Sequence, residues 1–322
     1  METIEKYREI LLTIFPVRKT AAQKADFREW LRKELKHAGY RPKEETYGRF
    51  NGSVNVVAGD PDRATVFLTA HYDTASRMLV PNFISPTNVA AHVLYHFLFA
   101  IVLMAAAVVL SFVITFPINQ PGLTLPLFLV LALLILYLSA FGPANPSNAN
   151  ANTSGVLTLL AIAKAIPKDK RVCFVFFDNN ERNLLGAKAF KREHSRAAES
   201  CLFLNFDCVG DGEHMLLMPS KYSRWDENLI AALTDAFPET EAVKGRILDK
   251  GLVYYPSDHR KFKFHVGVAA CHRLSGLGYY IPHLRTKKDT VLSAENVAYL
   301  TEGIARFLPA YWEEQDKGGQ GS

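Results

Sequence analysis

Apolar positions recur at helical spacing early in the chain and then change period. Phe27, Trp30, Leu31 and Leu35 place an amphipathic helix over Ala21 to Gly39, with the glycine as its stop. Ahead of it, METIEKYREILLTIF threads acids and bases through its apolar residues and predicts a short amphipathic helix. Val54 to Val57 and Ala64 to Thr69 are short β-branched runs on either side of the turn GDPD, and read as adjacent strands. Farther along, a buried helix over Gly155 to Ile166 leads to a strand at Val172 to Phe177. A helix around Leu184 to His194, a strand at Leu202 to Phe206 and a helix around Glu227 to Phe237 follow. A strand near Gly267 to Cys271 and a helix from Glu295 to Phe307 close the series. Such alternation predicts an α/β fold with a mostly parallel central sheet sandwiched by helices.

One stretch breaks the pattern. From Met78 to Ala163 there is no Lys, Arg, Asp or Glu. Within it, Phe97 to Phe116 is interrupted only by Ser111 and Thr115, both able to bond back to their own helix, and is long enough to cross about 30 Å of hydrocarbon. A second run, 123–141, follows the helix-breaking turn PINQPG. The expectation is a transmembrane hairpin inserted into one soluble domain, since the strand and helix patterns on either side belong to one sheet. The chain then divides into residues 1–77, the hairpin insertion 78–147, residues 148–310 completing the domain, and a disordered tail, 311–322.

Composition adds placement. The N-terminus lacks the basic start and small-residue cleavage site of a signal peptide. A two-pass hairpin returns the chain to its starting side, so the flanking segments are expected in the cytoplasm with the uncharged turn translocated. Net charge is +5, from 37 basic and 32 acidic residues mixed along the chain, which argues against a nucleic-acid partner. The four cysteines have no CxxC spacing and read as reduced core thiols rather than a zinc knuckle or disulfide framework.

Candidate chemistry sits at strand ends. AHYDT follows a strand, so His71 could ligate a metal while Asp73 holds its other ring nitrogen. Taken alone, an HxD is as compatible with an ordinary loop histidine. FVFFDNNERNLLGAKAF brings Glu181 beyond a second strand end, and LNFDCVG brings Asp207 beyond a third. Two further polar loops, SDHRKFKF and RTKKDT, lie in the C-terminal part.

Together these segments resemble family 28 of the metallopeptidases, zinc-dependent aminopeptidases and carboxypeptidases with two zinc ions bridged by an aspartate. The resemblance runs from about Val54 to Leu308 apart from the hairpin. AHYDT is similar to the family's HxD strand end, ANTSG at 151–155 to its DNxSG loop, and DNNERNLLGAKAF to its paired-Glu segment. NFDCVG is similar to the NxDxxG strand, and RTKKDT to the HTxxDT loop. The resemblance implies His71 and Asp207 as ligands of one zinc, Glu181 as a ligand of the other, and Asp73 as the carboxylate that orients His71.

Three positions depart from the pattern. Ala151 stands where the bridging aspartate belongs, Asn180 where the general base belongs, and Arg285 where a histidine ligand belongs. An alanine methyl cannot ligate, and zinc sites need three or four protein ligands. An asparagine amide cannot take a proton from water. Arginine stays protonated and offers no lone pair. Zinc, the family's cofactor, is therefore expected to bind weakly or not at all. Arg285 is expected instead to pair with Glu181 and Asp207. Two replacement ligands are conceivable: His283, two residues before Arg285 and on the same side if that segment is extended, and amide oxygens of Asn148, Asn150 or Asn152. Cys208 should point away from Asp207 into the core.

The expected function is a membrane-anchored pseudo-peptidase that binds peptide or protein, with the bilayer as its other partner. The alternatives are an active zinc aminopeptidase with a rearranged metal site and a structural docking subunit of a membrane complex.

Overall fold

A computed structural model describes residues 2–48 and 52–318. Helices α1 (Glu2–Thr13) and α2 (Ala21–His37) lead into β1 (Pro42–Tyr47), β2 (Ser53–Ala58) and β3 (Val66–His71). Two long helices follow, α3 (Val89–Thr115) and α4 (Thr124–Phe141), then α5 (Ser154–Ala165) and β4 (Val172–Phe177). Next come α6 (Leu185–Glu193), α7 (Ser195–Ser200), β5 (Leu202–Phe206), β6 (His214–Pro219) and α8 (Glu227–Ala236). Strands β7 (Lys244–Ile247), β8 (Phe264–Leu274) and β9 (Gly278–Tyr280) precede the closing helix α9 (Ala294–Gly318).

The sheet runs β1-β2-β4-β3-β5-β8-β6-β7, with β9 added beside β8. Its centre, β4-β3-β5-β8, is parallel, as the alternating pattern predicts. The flanks are antiparallel, at β1-β2-β4 on one side and β8-β6 on the other. Strands from before and after the hairpin thus share one sheet. Side chains alternate between its faces with period two. Val66, Leu68, Ala70, Val172, Phe174 and Phe176 pack with α1, α2, α5 and α9, whereas Phe67, Cys173, Val175 and Phe177 pack with Ala187 and Phe190 of α6.

Helix α5 is buried from Ser154 to Ala163, which explains its uninterrupted apolar run. At its start Gly155 allows contact with β5: a Cβ there would lie 2.2 Å from the carbonyl oxygen of Phe206. At the end of α2, Gly39 takes φ +80° and its N–H reaches the Lys36 carbonyl, so the expected glycine stop is a left-handed one.

Helices α3 and α4 are long and apolar enough to cross a membrane. They pack on each other, and α3 buries only Ala107, Ser111 and Thr115, leaving Phe97, Val102 and Val109 exposed. Ser111 and Thr115 donate to the carbonyls of Ala107 and Ser111, and the Thr115 hydroxyl also meets that of Thr124 at 2.7 Å. Helix α3 begins earlier than its apolar run, because Asn88 caps it through the Ala91 N–H. This added segment carries Tyr95 and His96, which bond back to Pro81 and Asn82 at the root of the hairpin.

Three expectations are corrected. Strands β2 and β3, expected side by side, are separated by β4, which pairs with both. The tail from residue 311 is helical to Gly318, because Tyr311 and Trp312 are buried and the Trp312 indole donates to Thr65 at 3.2 Å; residues 319–322 lie outside the described residues. Cys208 does not turn away from Asp207. Strand β5 ends at Phe206, Cys208 takes φ +57°, and its thiol donates to the Asp207 carboxylate at 3.1 Å. All four cysteines are free and buried.

Candidate functional site

Parallel strands end their C-termini on one edge, where side chains from separate loops converge. His71 is the last residue of β3, Glu181 lies just past β4, and Asp207 follows β5. The fold gathers them with Asp73 and Arg285.

The His71 imidazole lies between two carboxylates, with Nδ1 3.3 Å from Asp73 and Nε2 3.7 Å from Asp207. Burial alone would lower its pKa; hydrogen bonding and charge from Asp207 and Asp73 reverse this and hold it well above the ordinary value. Both carboxylates move the other way: burial raises them, but the facing His71 brings each below its usual range. Asp73 also accepts the backbone N–H groups of Asn180 at 2.9 Å and Glu181 at 3.1 Å, and Asp207 accepts the Ser257 hydroxyl at 2.6 Å. The Asp73-His71-Asp207 chain thus sets two carboxylates against one imidazole, leaving one negative charge in excess even when His71 is protonated.

Arg285 donates through Nη2 to Glu181. Of the two carboxylates expected to share this guanidinium, only Glu181 takes it; Asp207 is held by His71 and Ser257 instead.

Ala151 sits among apolar neighbours, with Cys208, Ile84 and Leu284 in the same cluster. Its backbone N–H and that of Asn150 donate to Asp289, at 3.3 and 2.7 Å. Burial pushes the Asp289 carboxyl up to about 7. The side chain of Asn180 donates to Asp258 at 2.9 Å. Asp258 is fully buried, its other oxygen has no partner among the described residues, and burial raises its pKa to about 7.

The conceivable replacement ligands fare differently. His283 and Arg285 both have positive φ, 64° and 63°, so the segment is a turn rather than an extended strand, and the geometry that would have let His283 stand in for Arg285 is absent. The Asn148 amide oxygen accepts from Thr153 at 2.8 Å, and that of Asn150 accepts the Gly210 N–H at 2.7 Å. Asn152 donates through its amide nitrogen to the carbonyls of Tyr72 and Asp73, and its buried amide oxygen has no hydrogen-bond partner among the described residues.

The residues present do not fit a two-zinc centre. Glu181 is engaged by a guanidinium, and Ala151, at the position that the resemblance gives to the bridging aspartate, offers no donor atom. Among the described residues, no three His, Cys, Asp or Glu side chains are grouped to hold a metal ion.

Three participants escaped the sequence reading. Asp258 and Ser257 lie in the polar loop SDHRKFKF, whose composition was visible but whose direction was not. Arg18, between α1 and α2, carries no sequence signal at all. It is fully buried, donating to the carbonyls of Tyr72 and Phe15 and to Thr153, and it ties the N-terminal helices to the site. Burial lowers its pKa to about 9, with Asp73 opposing.

Beside the Arg285–Glu181 pair opens a cleft of about 480 Å³ lined by Asn180, Ser257, Arg260 and Asn82. The roots of the hairpin form its border: the Met78 N–H donates to the Arg285 carbonyl at 2.7 Å and that of Asn82 to Leu284 at 3.0 Å.

Comparison with solved structures shows what this fold is like. A Porphyromonas gingivalis glutaminyl cyclase superposes with a TM-score of 0.61 at 16% identity, over 98% of each chain. A Zn-dependent exopeptidase from Parabacteroides distasonis gives 0.60 at 16% identity, over 95% of this chain and 97% of that one. A leucine aminopeptidase precursor from Bacteroides thetaiotaomicron gives 0.58 at 13% identity, over 95% and 96%. Comparison with curated protein sequences gives no match. The sequence profile described as Peptidase family M28 matches residues 139–299, half of the chain, across the segments that carry Glu181, Asp207 and Arg285. The chain belongs to peptidase family M28.

Proposed function

We propose that this is a membrane-anchored M28 protein whose metal centre has given way to ion pairs, leaving a cleft that binds peptide or protein without hydrolysing it. The observation that carries the reading is the Arg285–Glu181 pair, a fixed cation at the place where the family pattern has a metal-ligating histidine. Asn180, at the general-base position, is an amide committed to Asp258 and cannot activate water. The exopeptidase and aminopeptidase names of two fold neighbours make a peptide the first ligand class to test. Membrane anchoring is supported by the two apolar helices α3 and α4, whose large side chains are exposed along most of their length. Tyr95 at the domain end of α3 and Tyr137 at the domain end of α4 suit an interfacial level. The domain is then cytoplasmic, and its cleft lies at the membrane surface.

The test is metal content and turnover of the full chain in detergent. The expected result is well under one zinc per chain and no cleavage of aminoacyl anilides. Stoichiometric zinc with chelator-sensitive cleavage would overturn the reading. It would favour an active zinc aminopeptidase with a rearranged shell, for which the retained cluster of His71, Asp73 and Asp207 is the supporting observation.

A further inference from the structure

A second cavity, of about 550 Å³, lies on the far side of Arg260 from the cleft just described, between the end of β6 and the segment leading to β8. Lys221, Arg224, Arg260 and Lys263 line it, and no Asp or Glu does. None of the four cations forms an ion pair among the described residues. Like charges are gathered rather than spread: the ammonium groups of Lys221 and Lys263 both lie over the Tyr222 ring, at 4.8 and 5.4 Å. Arg260 lies over Tyr254 at 4.8 Å. Aromatic faces hold these cations in place but cannot neutralise them.

Two residues of the lining also carry an unpaired nitrogen. The Nε of Arg224 and the Nδ1 of His259 are buried without a hydrogen-bond partner, and both residues line the cavity. His259 is 3% exposed. Burial, with His265 and Arg260 nearby, holds its pKa well below the ordinary value, so it is a neutral imidazole that can donate one N–H.

We infer that this cavity is a binding site for a phosphate-bearing ligand, gripped by Arg224, Arg260, Lys221 and Lys263. Two guanidinium forks match phosphate oxygens in geometry, and two ammonium groups supply further charge. The volume is that of a small-molecule site. Tyr254, over whose ring Arg260 lies, donates its N–H to the Pro86 carbonyl at 2.9 Å, and its ring meets that of His92 at 5.3 Å in a tilted contact. The cavity thus abuts the root of α3, and the phosphate can come from a free metabolite or from a lipid headgroup. The inference does not depend on the state of the metal site.

The experiment uses the full chain in phosphatidylcholine nanodiscs, titrated with sodium pyrophosphate while thermal unfolding is followed. Pyrophosphate should raise the unfolding temperature saturably, and Lys221→Glu/Lys263→Glu should abolish the rise. The same double reversal at Lys287 and Lys288, exposed cations that line neither cavity, should keep it. Replacing part of the lipid by phosphatidylglycerol distinguishes the sources. If the stabilisation then appears without pyrophosphate and is lost in Lys221→Glu/Lys263→Glu, the ligand is a lipid headgroup; if the pyrophosphate response is unchanged, it is a soluble phosphate. The inference is overturned if sodium chloride at equal ionic strength reproduces the rise, if the Lys221/Lys263 variant responds as the parent does, or if neither pyrophosphate nor phosphatidylglycerol has any effect.

Discussion

Arg285 donates its Nη2 to the carboxylate of Glu181 across 104 residues of chain, from a turn in which Arg285 itself has φ +63°. A left-handed arginine is uncommon, and the turn is held by backbone bonds to the hairpin root: Met78 donates to Arg285 and Asn82 to Leu284. The conformation that aims this guanidinium at Glu181 is therefore supported by the same segment that leads into α3.

Breaking the pair should destabilise the fold. Glu181 and Arg285 are partly buried, with side chains 17% and 29% exposed, so Arg285→Gln should cost ~1–3 kcal/mol, between the values for surface and buried pairs. Denaturant unfolding of Arg285→Gln, Glu181→Gln and the double variant measures it, and the double variant should lose less than the two singles summed. A gain in stability for Arg285→Gln in metal-free buffer would remove the ion-pair role.

Zinc binding should return only when Ala151→Asp, Asn180→Glu and Arg285→His are combined. Ala151→Asp alone buries an acid among Cys208, Ile84 and Leu284. Asn180→Glu alone places an acid against Asp258, and Arg285→His alone strips Glu181 of its cation. Each single variant should unfold earlier and bind no zinc, because ligands and base act as one unit. Calorimetric zinc titration of the single, double and triple variants is the measurement; a triple variant without zinc would break the residue correspondence.

Stability should depend on pH through Asp258, whose pKa is raised to about 7 in the fold by burial. Between the unfolded value near 4 and about 7 the folded chain binds more protons at this residue than the unfolded chain, so stability is lost as pH rises through that window. The effect is on the order of 3–4 kcal/mol. Asp258→Asn, which mimics the neutral acid and can still accept from Asn180, should make the curve shallower between pH 4 and 7, leaving the share of Asp289, and be the more stable protein at pH 8. Parallel curves for parent and variant would show that Asp258 is ionised throughout.

The hairpin turn should lie across the membrane from the domain. A cysteine placed at Asn119 should be labelled by an impermeant maleimide from outside intact cells, and one appended after Ser322 should not. The four native cysteines are buried and contribute little background. Labelling in the opposite order would reverse the orientation.

Much of this was legible in residue order. The short, uninterrupted apolar run Val172–Phe177, rich in Val and Phe, and the longer run from Gly155 indicate a strand and a helix by length and residue type, and both are buried on every side. The uncharged stretch from Met78 to Ala163 marks the hairpin by composition alone. Ala151, Asn180 and Arg285 announce their chemistry without coordinates, since no fold gives a methyl a lone pair or an arginine a metal bond.

Direction and partnership were decided only by the tertiary structure. His283 could not be judged as a ligand until its φ of 64° showed a turn, because one left-handed residue redirects every side chain after it. Asp207 and Asp258 are both acids in polar loops, yet contact with His71 lowers one and burial raises the other to about 7. Arg18 reads as an ordinary surface residue in sequence, and becomes the buried tie between the N-terminal helices and the site only when Tyr72, Phe15 and Thr153 close around it. Pattern along the chain records which groups must leave water; which group each then meets is a property of distances that exist only after folding.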